Sequence, residues 1–366
     1  MGNARNNILL NPGPVNLSQA VKQAMNHEDV CHREIEFGEL VQSINERLIK
    51  IYPSFDKFKA VLLSCSGTGA VEAMISSFIN QGKTLAISNG VYGQRMEKIL
   101  DIYKKPYEAI EFDLDHEIDL ARLENQLKSD REISNMTLVH HETTTGRLNS
   151  LNSIGQLCKD YDVKLFLDAV SSFGAEEIQA NAINLAAVAA SANKCLHGAP
   201  GASFVIAHQD LWNDEPDQAS SVYFDLYAYY KLQQDQGFSP FTQATHVLHA
   251  FDVALDEFFQ QGGWDSRNAE YSEKASRIMR TLSKLGIEPL IKAEDFSCVL
   301  HSYLLPTDHS YDDLHRFMKK NGFIIYQGQG DLSDRIFRIS TMGEISTSDV
   351  TRLCDLFVKY FDNLND

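Results

Sequence analysis

The fold class of this protein is indicated most clearly by one stretch of sequence, Lys59-Ala-Val-Leu-Leu-Ser-Cys-Ser-Gly-Thr-Gly-Ala-Val-Glu72. Residues 59–64 form an apolar run of the kind found in buried strands, and the glycines after it predict a tight turn. A helix is expected over residues 69–80. A strand that passes through a short turn into a helix is the repeating unit of α/β proteins.

The same order of elements recurs along the chain to about residue 210. Further strands are predicted over residues 84–88, 137–141, 163–168, 186–191 and 203–207, with helices near 95–103 and 152–161. This alternation predicts an α/β fold with a mostly parallel sheet flanked by helices. Because ligands bind beyond the carboxyl ends of such strands, the polar residues that end them are the candidates for chemistry.

The pattern changes after about residue 260. Helices are predicted over residues 266–284 and 311–321, and strands over 297–304, 322–326 and 335–340. In the last helix, one face carries the apolar residues Leu353, Leu356, Phe357, Tyr360 and Phe361, which predicts a core contact. We therefore expect a large α/β domain at residues 16–259 and a smaller α+β domain built from residues 1–15 and 260–366.

Composition narrows the classes of function. The chain has 366 residues, of which 43% are hydrophobic and 23% charged, close to the globular average. These values exclude a wholly disordered chain, a collagen-like repeat and a small disulfide scaffold. The net charge of −17 repels a phosphate backbone, so nucleic-acid binding is not expected. Any anion site must be built locally, from backbone N–H groups and single Arg or Lys residues.

No segment predicts export, a membrane span or a metal site. Residues 1–20 contain no long apolar run, and no stretch approaches the ~18 consecutive apolar residues that a spanning helix needs. The six cysteines form no Cys-x-x-Cys pair, so we expect reduced thiols and a cytoplasmic location. The triplet His140-His141-Glu142 lacks the second histidine of a zinc motif, and neighbouring strand residues face opposite sides.

The turn within residues 64–72 is a candidate anion site, because glycines at a helix N-terminus expose N–H groups to a phosphate. A Walker loop is excluded by the absence of Gly-Lys-Ser/Thr. A dinucleotide fingerprint is excluded because Gly67-x-Gly69-x-x ends in Glu72. A phosphate cup made by Ser66, Gly67 and Thr68 and an ordinary strand-to-helix turn both remain open.

Two charged residues follow predicted strands. Asp168 ends an apolar strand, where it acts either as a helix N-cap or as a carboxylate that holds a protonated heterocyclic nitrogen. Lys194 has small and apolar neighbours; it is either a surface lysine or an amine of lowered pKa suited to a Schiff base. A phosphate turn, this aspartate and this lysine are together the three groups that pyridoxal 5′-phosphate (PLP) requires.

Eight segments, spread over nearly the whole chain, carry a resemblance to a known family. They are Leu10-Asn-Pro-Gly-Pro14, Cys31-His-Arg-Glu34, Ser64-Cys-Ser-Gly-Thr-Gly-Ala-Val-Glu72, Ser88-Asn-Gly-Val-Tyr-Gly-Gln-Arg95, His141-Glu-Thr-Thr-Thr-Gly146, Leu167-Asp-Ala-Val-Ser-Ser172, Ser191-Ala-Asn-Lys-Cys195 and Phe337-Arg-Ile-Ser-Thr-Met-Gly343. On these segments the chain resembles the class V, fold type I PLP-dependent aminotransferases. The resemblance implies the fold type I architecture, PLP as cofactor and a homodimer with shared active sites.

The resemblance also implies roles for individual residues. Lys194 is the catalytic lysine that holds the cofactor and moves the proton, and Asp168 pairs with the pyridine nitrogen. The other implied contacts are the phosphate ligands Ser66, Gly67 and Thr68, the ring-stacking Tyr92, Thr143 beside O3′, Thr242 at the phosphate of the neighbouring subunit's cofactor, and Arg338 at the anionic end of the substrate.

The substrates implied are 2-aminoethylphosphonate as amino donor and pyruvate as acceptor. An alanine:glyoxylate or serine:pyruvate type of aminotransferase, or a related aminophosphonate transaminase, remains an alternative. A desulfurase of the same fold needs a mobile catalytic cysteine, whereas Cys195, beside the lysine, is expected to pack. A non-catalytic PLP-binding protein is disfavoured because Lys194, Asp168 and Arg338 are all present.

Overall fold

A computed structural model of the protein describes residues 7–362. The strands are β1 (Ile8–Leu9), β2 (Phe58–Leu63), β3 (Lys83–Ser88), β4 (Tyr107–Glu111), β5 (Ile133–Val139), β6 (His141–Glu142), β7 (Arg147–Leu148), β8 (Lys164–Asp168), β9 (Leu185–Ser191), β10 (Ser203–His208), β11 (Leu300–Leu304), β12 (Phe323–Ile324), β13 (Tyr326–Gln327) and β14 (Ile336–Ser340). The helices are α1 (Gln19–Ala24), α2 (Ile35–Lys50), α3 (Gly67–Phe78), α4 (Val91–Ile102), α5 (Leu120–Ser129), α6 (Leu151–Asp160), α7 (Leu226–Gln236), α8 (Thr245–Gln260), α9 (Gly263–Lys284), α10 (Tyr311–Lys320) and α11 (Thr347–Asp362).

A seven-stranded sheet in the order β2-β10-β9-β8-β5-β3-β4 forms the centre of the molecule. Every neighbouring pair is parallel except the two pairs that contain β10, which runs antiparallel to both β2 and β9. The predicted mostly parallel sheet is therefore confirmed. The carboxyl ends of β5, β8 and β9 lie side by side, so residues that follow these strands converge at one edge of the sheet.

The sheet is covered on both faces because its strands carry apolar side chains at successive positions. In β2, Ala60 and Leu62 pack into the core formed with α2 and α8, whereas Val61 and Leu63 pack into the core formed with α3, α4 and α7. Successive strand residues point to opposite faces, so an uninterrupted apolar strand is buried on both sides. Burying one such side chain contributes about 1.5–3 kcal/mol.

The C-terminal part of the chain forms a separate core around the antiparallel sheet β11-β14-β13, covered by α9, α10 and α11. The predicted apolar face of α11 is confirmed in burial: Leu353, Phe357 and Phe361 are buried and their neighbours on that face partly so. Strand β1 pairs with β12 and thus joins the N-terminal segment to this core. On this packing we propose the domain division at residues 15/16 and 259/260.

Helices α2 and α7 were not predicted, and two further local features differ from the sequence-based expectation. The edge strand β4 and the helix α5 after it were not predicted, because β4 alternates polar and apolar residues and pairs with β3 alone. The single strand expected over residues 322–326 is interrupted at Ile325, so β12 pairs with β1 and β13 pairs with β14. Within residues 7–362 no helix combines the length and the apolar character needed to span a bilayer.

Candidate active site

Lys194 lies three residues beyond the end of β9, at the edge where the parallel strands end. Its side chain is half-buried, and its Nζ donates a hydrogen bond to the carbonyl oxygen of Pro12. A Cβ on Gly13 would lie 2.6 Å from that Nζ, so the N-terminal loop can pass over the amine only as glycine. Burial lowers the pKa of Lys194 to about 8, as its apolar surroundings in the sequence predict.

Asp168 is the last residue of β8 and is 6% exposed. Its Oδ1 accepts a hydrogen bond from the Val170 N–H at 2.9 Å, so it does cap the turn that follows the strand. Burial raises the pKa of Asp168 to about 6; the bond from Val170, and then the charges of Arg95 and Lys194, oppose this effect. The carboxylate thus lies in the field of two cations, and a further cationic partner would stabilise its charged form.

The glycine turn places three backbone N–H groups at the start of α3. The first intrahelical bond runs from Ala70 to the carbonyl of Ser66, so residues 67–69 have no intrahelical acceptor in the described chain. The Ser66 side chain is exposed and forms no capping bond, and the Thr68 hydroxyl accepts from Arg95 Nη1 at 3.1 Å. A Cβ on Gly67 would lie 2.6 Å from Val170 Cγ1, which explains the glycine there.

The β6–β7 hairpin connects the other candidate residues through Glu142. This fully buried carboxylate accepts from the N–H groups of Tyr92 at 3.2 Å and Thr144 at 3.1 Å. It therefore fixes the N-terminus of α4, and with it Tyr92, against the hairpin. The next residue, Thr143, is buried, and its carbonyl accepts from Arg338 Nη1 at 2.7 Å. Tyr92, Thr143 and Arg338 are thus brought into one connected region.

Arg338 lies on β14 and is fully buried. Its Nε and Nη2 donate to the Gln327 carbonyl at 2.8 and 2.6 Å, and its guanidinium lies 5.1 Å from the centre of the Tyr326 ring. Burial lowers its pKa, and the nearby Tyr92 and Tyr326 hydroxyls and Glu142 carboxylate oppose this effect only in part. None of its hydrogen-bond acceptors in the described chain is a carboxylate.

His141 faces the same region and had no predicted role. Its ring is buried, Nδ1 lies 3.1 Å from the Ser171 carbonyl, and Nε2 has no partner among the described residues. Burial lowers its pKa to about 3, so the ring is neutral. His140 instead lines a separate cavity of about 900 Å³ with Arg147. The expectation that the two histidines face different sides agrees with this placement.

Thr242 is the one candidate that the structure does not bring to the others. It is exposed in the loop before α8 and has no hydrogen bond to another candidate residue in the part of the chain described. The following residues anchor this loop, because Ser64 Oγ donates to Gln243 Oε1 at 3.1 Å and accepts from the Ala244 N–H at 2.8 Å. The loop is therefore tied to the end of β2, next to the glycine turn.

Comparison with known proteins identifies the family. The profile of the class V aminotransferases (Aminotransferase class-V) matches residues 18–338. The chain is a class V aminotransferase. Among curated relatives, a 2-aminoethylphosphonate–pyruvate transaminase from Klebsiella pneumoniae is 36% identical, over 96% of each chain. A bifunctional phosphonoacetaldehyde hydrolase/aminoethylphosphonate transaminase from Clostridioides difficile is also 36% identical; 97% of this chain matches 56% of that protein, so the chain spans about half its length.

Solved structures support the same fold. Ureidoglycine-glyoxylate aminotransferase from Bacillus subtilis has a TM-score of 0.91 at 20% identity, covering 98% of this chain and 94% of the other. Aspartate aminotransferase from Thermus thermophilus has a TM-score of 0.89 at 22% identity, covering 97% and 99%. These likenesses confirm fold type I for this class V aminotransferase.

The cofactor of this aminotransferase family is PLP, and the residues present fit it. Two buried polar atoms, His141 Nε2 and Ser191 Oγ, lack partners in the described chain. Gly67 lies where any side chain would meet Val170, and it begins a helix whose first N–H groups are free of intrahelical bonds. An amine, an acid and a helix start with free N–H groups therefore surround one region, which is what PLP requires.

Arg95 and Glu142 are parts of the site that the sequence reasoning did not assign. Arg95 lies 4.6 Å from the centre of the Tyr92 ring and donates to Thr68, so it joins the ring-stacking and phosphate-binding candidates. Both residues belong to the recognised segments. In the sequence, each is a charged residue within a glycine-containing segment. That pattern does not predict which residues it contacts in the folded protein.

Proposed function

We propose that this aminotransferase moves the amino group of 2-aminoethylphosphonate to pyruvate, giving phosphonoacetaldehyde and L-alanine. The single observation that carries the proposal is the buried Arg338 guanidinium, whose acceptors in the described chain are all uncharged. A buried cation that has no hydrogen-bonded carboxylate favours an anionic ligand. The relatives named as 2-aminoethylphosphonate–pyruvate transaminases, 33–36% identical over 94–98% of this chain, supply the substrate class.

The proposed cofactor ligands follow from the placement of each residue. Ser66, Gly67 and Thr68 supply the helix start for the phosphate. The Tyr92 N–H donates to the Glu142 carboxylate, and Thr143 follows Glu142 in the hairpin. The remaining proposed ligands are Asp168 for the pyridine nitrogen and Lys194 for the covalent link. When bound, PLP withdraws electrons from the carbon next to the substrate nitrogen.

Lys194 carries the proton in the proposed mechanism. With a pKa of about 8, a substantial share of its Nζ is neutral near neutral pH, so this nitrogen can accept the proton lost from the substrate carbon and return it. Asp168 lies close enough for its charge to affect that of Lys194, and it maintains negative charge at the end of β8. Gly13 and Pro12 cover the amine and restrict the approach of water from that side.

Arg338 has to bind two different anions in turn, a phosphonate and then a carboxylate. A guanidinium presents a fork of N–H donors that matches the oxygens of both groups. Its position on β14, hydrogen-bonded to the hairpin that carries Thr143, directs it toward the proposed cofactor site. A lysine at this position would keep the charge but lose the two-point geometry.

We also propose a homodimer in which Thr242 reaches the phosphate of the neighbouring subunit's cofactor. The support is that Thr242 is exposed and separated from the other candidates, although its loop is anchored beside the glycine turn. Sedimentation of the holoenzyme tests the dimer. Mixing inactive Thr242→Ala and Lys194→Ala chains should restore part of the activity if sites are shared; the absence of any gain would contradict sharing.

The donor screen is the decisive experiment. The PLP-loaded protein is incubated with 2-aminoethylphosphonate and pyruvate and, in separate reactions, with alanine or serine and glyoxylate, and the carbonyl product of each donor is measured. We expect 2-aminoethylphosphonate to give the largest kcat/KM, and a larger value for alanine or serine with glyoxylate would overturn the substrate proposal. Arg338→Ala should raise KM for both substrates of the preferred pair, and Lys194→Ala should abolish turnover.

A further inference from the structure

The guanidinium of Arg338 donates four of its five N–H groups to neutral acceptors. Of its five N–H groups, two donate to the Gln327 carbonyl, one to the Thr143 carbonyl at 2.7 Å and one to Gln329 Oε1 at 3.4 Å. One Nη2 N–H has no acceptor in the described chain, and the guanidinium is closed to solvent. Two-point binding of an anion needs a second N–H beside this one, so the anion must displace one of these acceptors.

The three acceptors differ in how firmly they are held. The Gln327 carbonyl belongs to β13, which is paired with β14 through Gln327 and Phe337. The Thr143 carbonyl belongs to the hairpin fixed by Glu142. Gln329 is the only side-chain acceptor of the described residues on this guanidinium, it is half-buried, and its bond is the longest of the four. Rotating one side chain releases it without changing the backbone.

We propose that the Gln329 amide occupies the place of the substrate's anionic group and that its exchange for that anion sets the affinity for both substrates. The inference rests on the proposed role of Arg338. An amide oxygen satisfies the guanidinium when no substrate is bound, yet its bond is weaker than a charge-assisted one, so a phosphonate or carboxylate displaces it. Gln329 is accordingly a residue that sets substrate affinity by competing with the ligand.

The test replaces the weak competitor by a strong one. In Gln329→Glu, a carboxylate nearly identical in shape to the amide pairs with Arg338 from within the chain. We expect KM for both 2-aminoethylphosphonate and pyruvate to rise about tenfold or more, the size of one charged hydrogen bond, with kcat changed less. The increase should shrink as the pH is lowered through the range in which a glutamate is protonated.

The control is Ser333→Glu, which adds the same charge to the same segment at a residue whose only described hydrogen bond is to the Gly330 carbonyl. Ser333 is only partly buried and has no described hydrogen bond to Arg338, so the added charge is screened and KM should stay within about twofold. Gln329→Ala removes the competitor, and KM for both substrates should stay equal or fall. Calorimetric titration of each holoenzyme with methylphosphonate, an anion without an amino group, measures anion affinity independently of turnover. Gln329→Glu should bind it most weakly, and Gln329→Ala should bind it at least as tightly as the unchanged protein.

The outcomes separate the two proposals. If Arg338→Ala leaves methylphosphonate affinity unchanged, the anion site itself is wrong and this inference falls with it. If Arg338→Ala weakens binding but Gln329→Glu matches Ser333→Glu, the site stands and the competitor role of Gln329 is overturned. A Gln329→Ala variant that binds methylphosphonate more than threefold more weakly would show that Gln329 helps the ligand, which also overturns the inference.

Discussion

The titration of Lys194 is the prediction that follows most directly from the structure. Burial lowers its pKa from the ordinary 10.5 to about 8. At pH 7.5 about one quarter of the amine is then neutral, against roughly 0.1% for an ordinary lysine, a difference of more than two hundredfold. The difference between a pKa of 10.5 and one of about 8 corresponds to roughly 3 kcal/mol of free energy that disfavours the charged amine in the folded protein.

Trace acetylation of the cofactor-free protein over a range of pH, followed by peptide mass mapping, measures this titration. The labelling rate at Lys194 should reach half its maximum near pH 8. Lys128 is the internal comparison, because its hydrogen bond to Glu124 raises its pKa, so it should label at higher pH. A Lys194 midpoint at or above pH 10 would refute the reasoning from burial.

The sign of neighbouring charges supplies a second check on the same residue. Removing the Asp168 charge in Asp168→Asn should lower the pKa of Lys194 further, and removing the cation in Arg338→Ala should raise it. Cys195 contributes little at pH 8, because burial raises the pKa of its thiol to about 12 and keeps it neutral. Since the folded pKa of Lys194 lies below its unfolded value, protonation opposes folding below pH 8. This cost is relieved as the pH rises from about 8 to 10.5.

Three further predictions concern stability and reactivity. Gly67→Ala should destabilise the protein by about 1–3 kcal/mol in urea unfolding, because its Cβ would lie 2.6 Å from Val170; an unchanged midpoint would show that the strand end yields freely. Iodoacetamide at pH 8 should label the exposed Cys31 while the buried Cys195 stays unlabelled in mass mapping, and equal labelling would contradict its burial. Phe357→Ala should cost about 3–5 kcal/mol by removing a fully buried ring of the C-terminal core, and a loss below about 1 kcal/mol would contradict that packing.

Much of the fold could be predicted because its signals are local. The apolar run before Ser64 and the run ending at Asp168 each predict a buried strand, and the glycines after the first predict its turn into a helix. The edge strand β4 was not predicted because its alternating polarity and single partner leave a weak apolar signal. The antiparallel direction of β10 depends on its pairing with two strands distant in sequence, which no local pattern records.

In the candidate site, too, the residues could be predicted from local sequence, whereas their contacts could not. Lys194, Asp168 and the Ser66–Thr68 turn could be proposed from sequence, since each is a chemical group at the end of a recognisable element. The connections between them could not. Glu142 contacts Tyr92 across 50 residues, and Arg338 contacts Thr143 across 195, so these bonds exist only after the chain has folded.

Residue types and their short spacing were sufficient to predict the family, most strands of the central sheet and the candidate reactive side chains. The pKa values and charge environments of these side chains depend on the tertiary structure. Burial of Lys194 and Asp168 moves both pKa values toward neutrality, and the enclosure of Arg338 leaves its charge among neutral acceptors. Both effects arise from removing charged groups from water, and the packing of distant segments determines how far each group is removed.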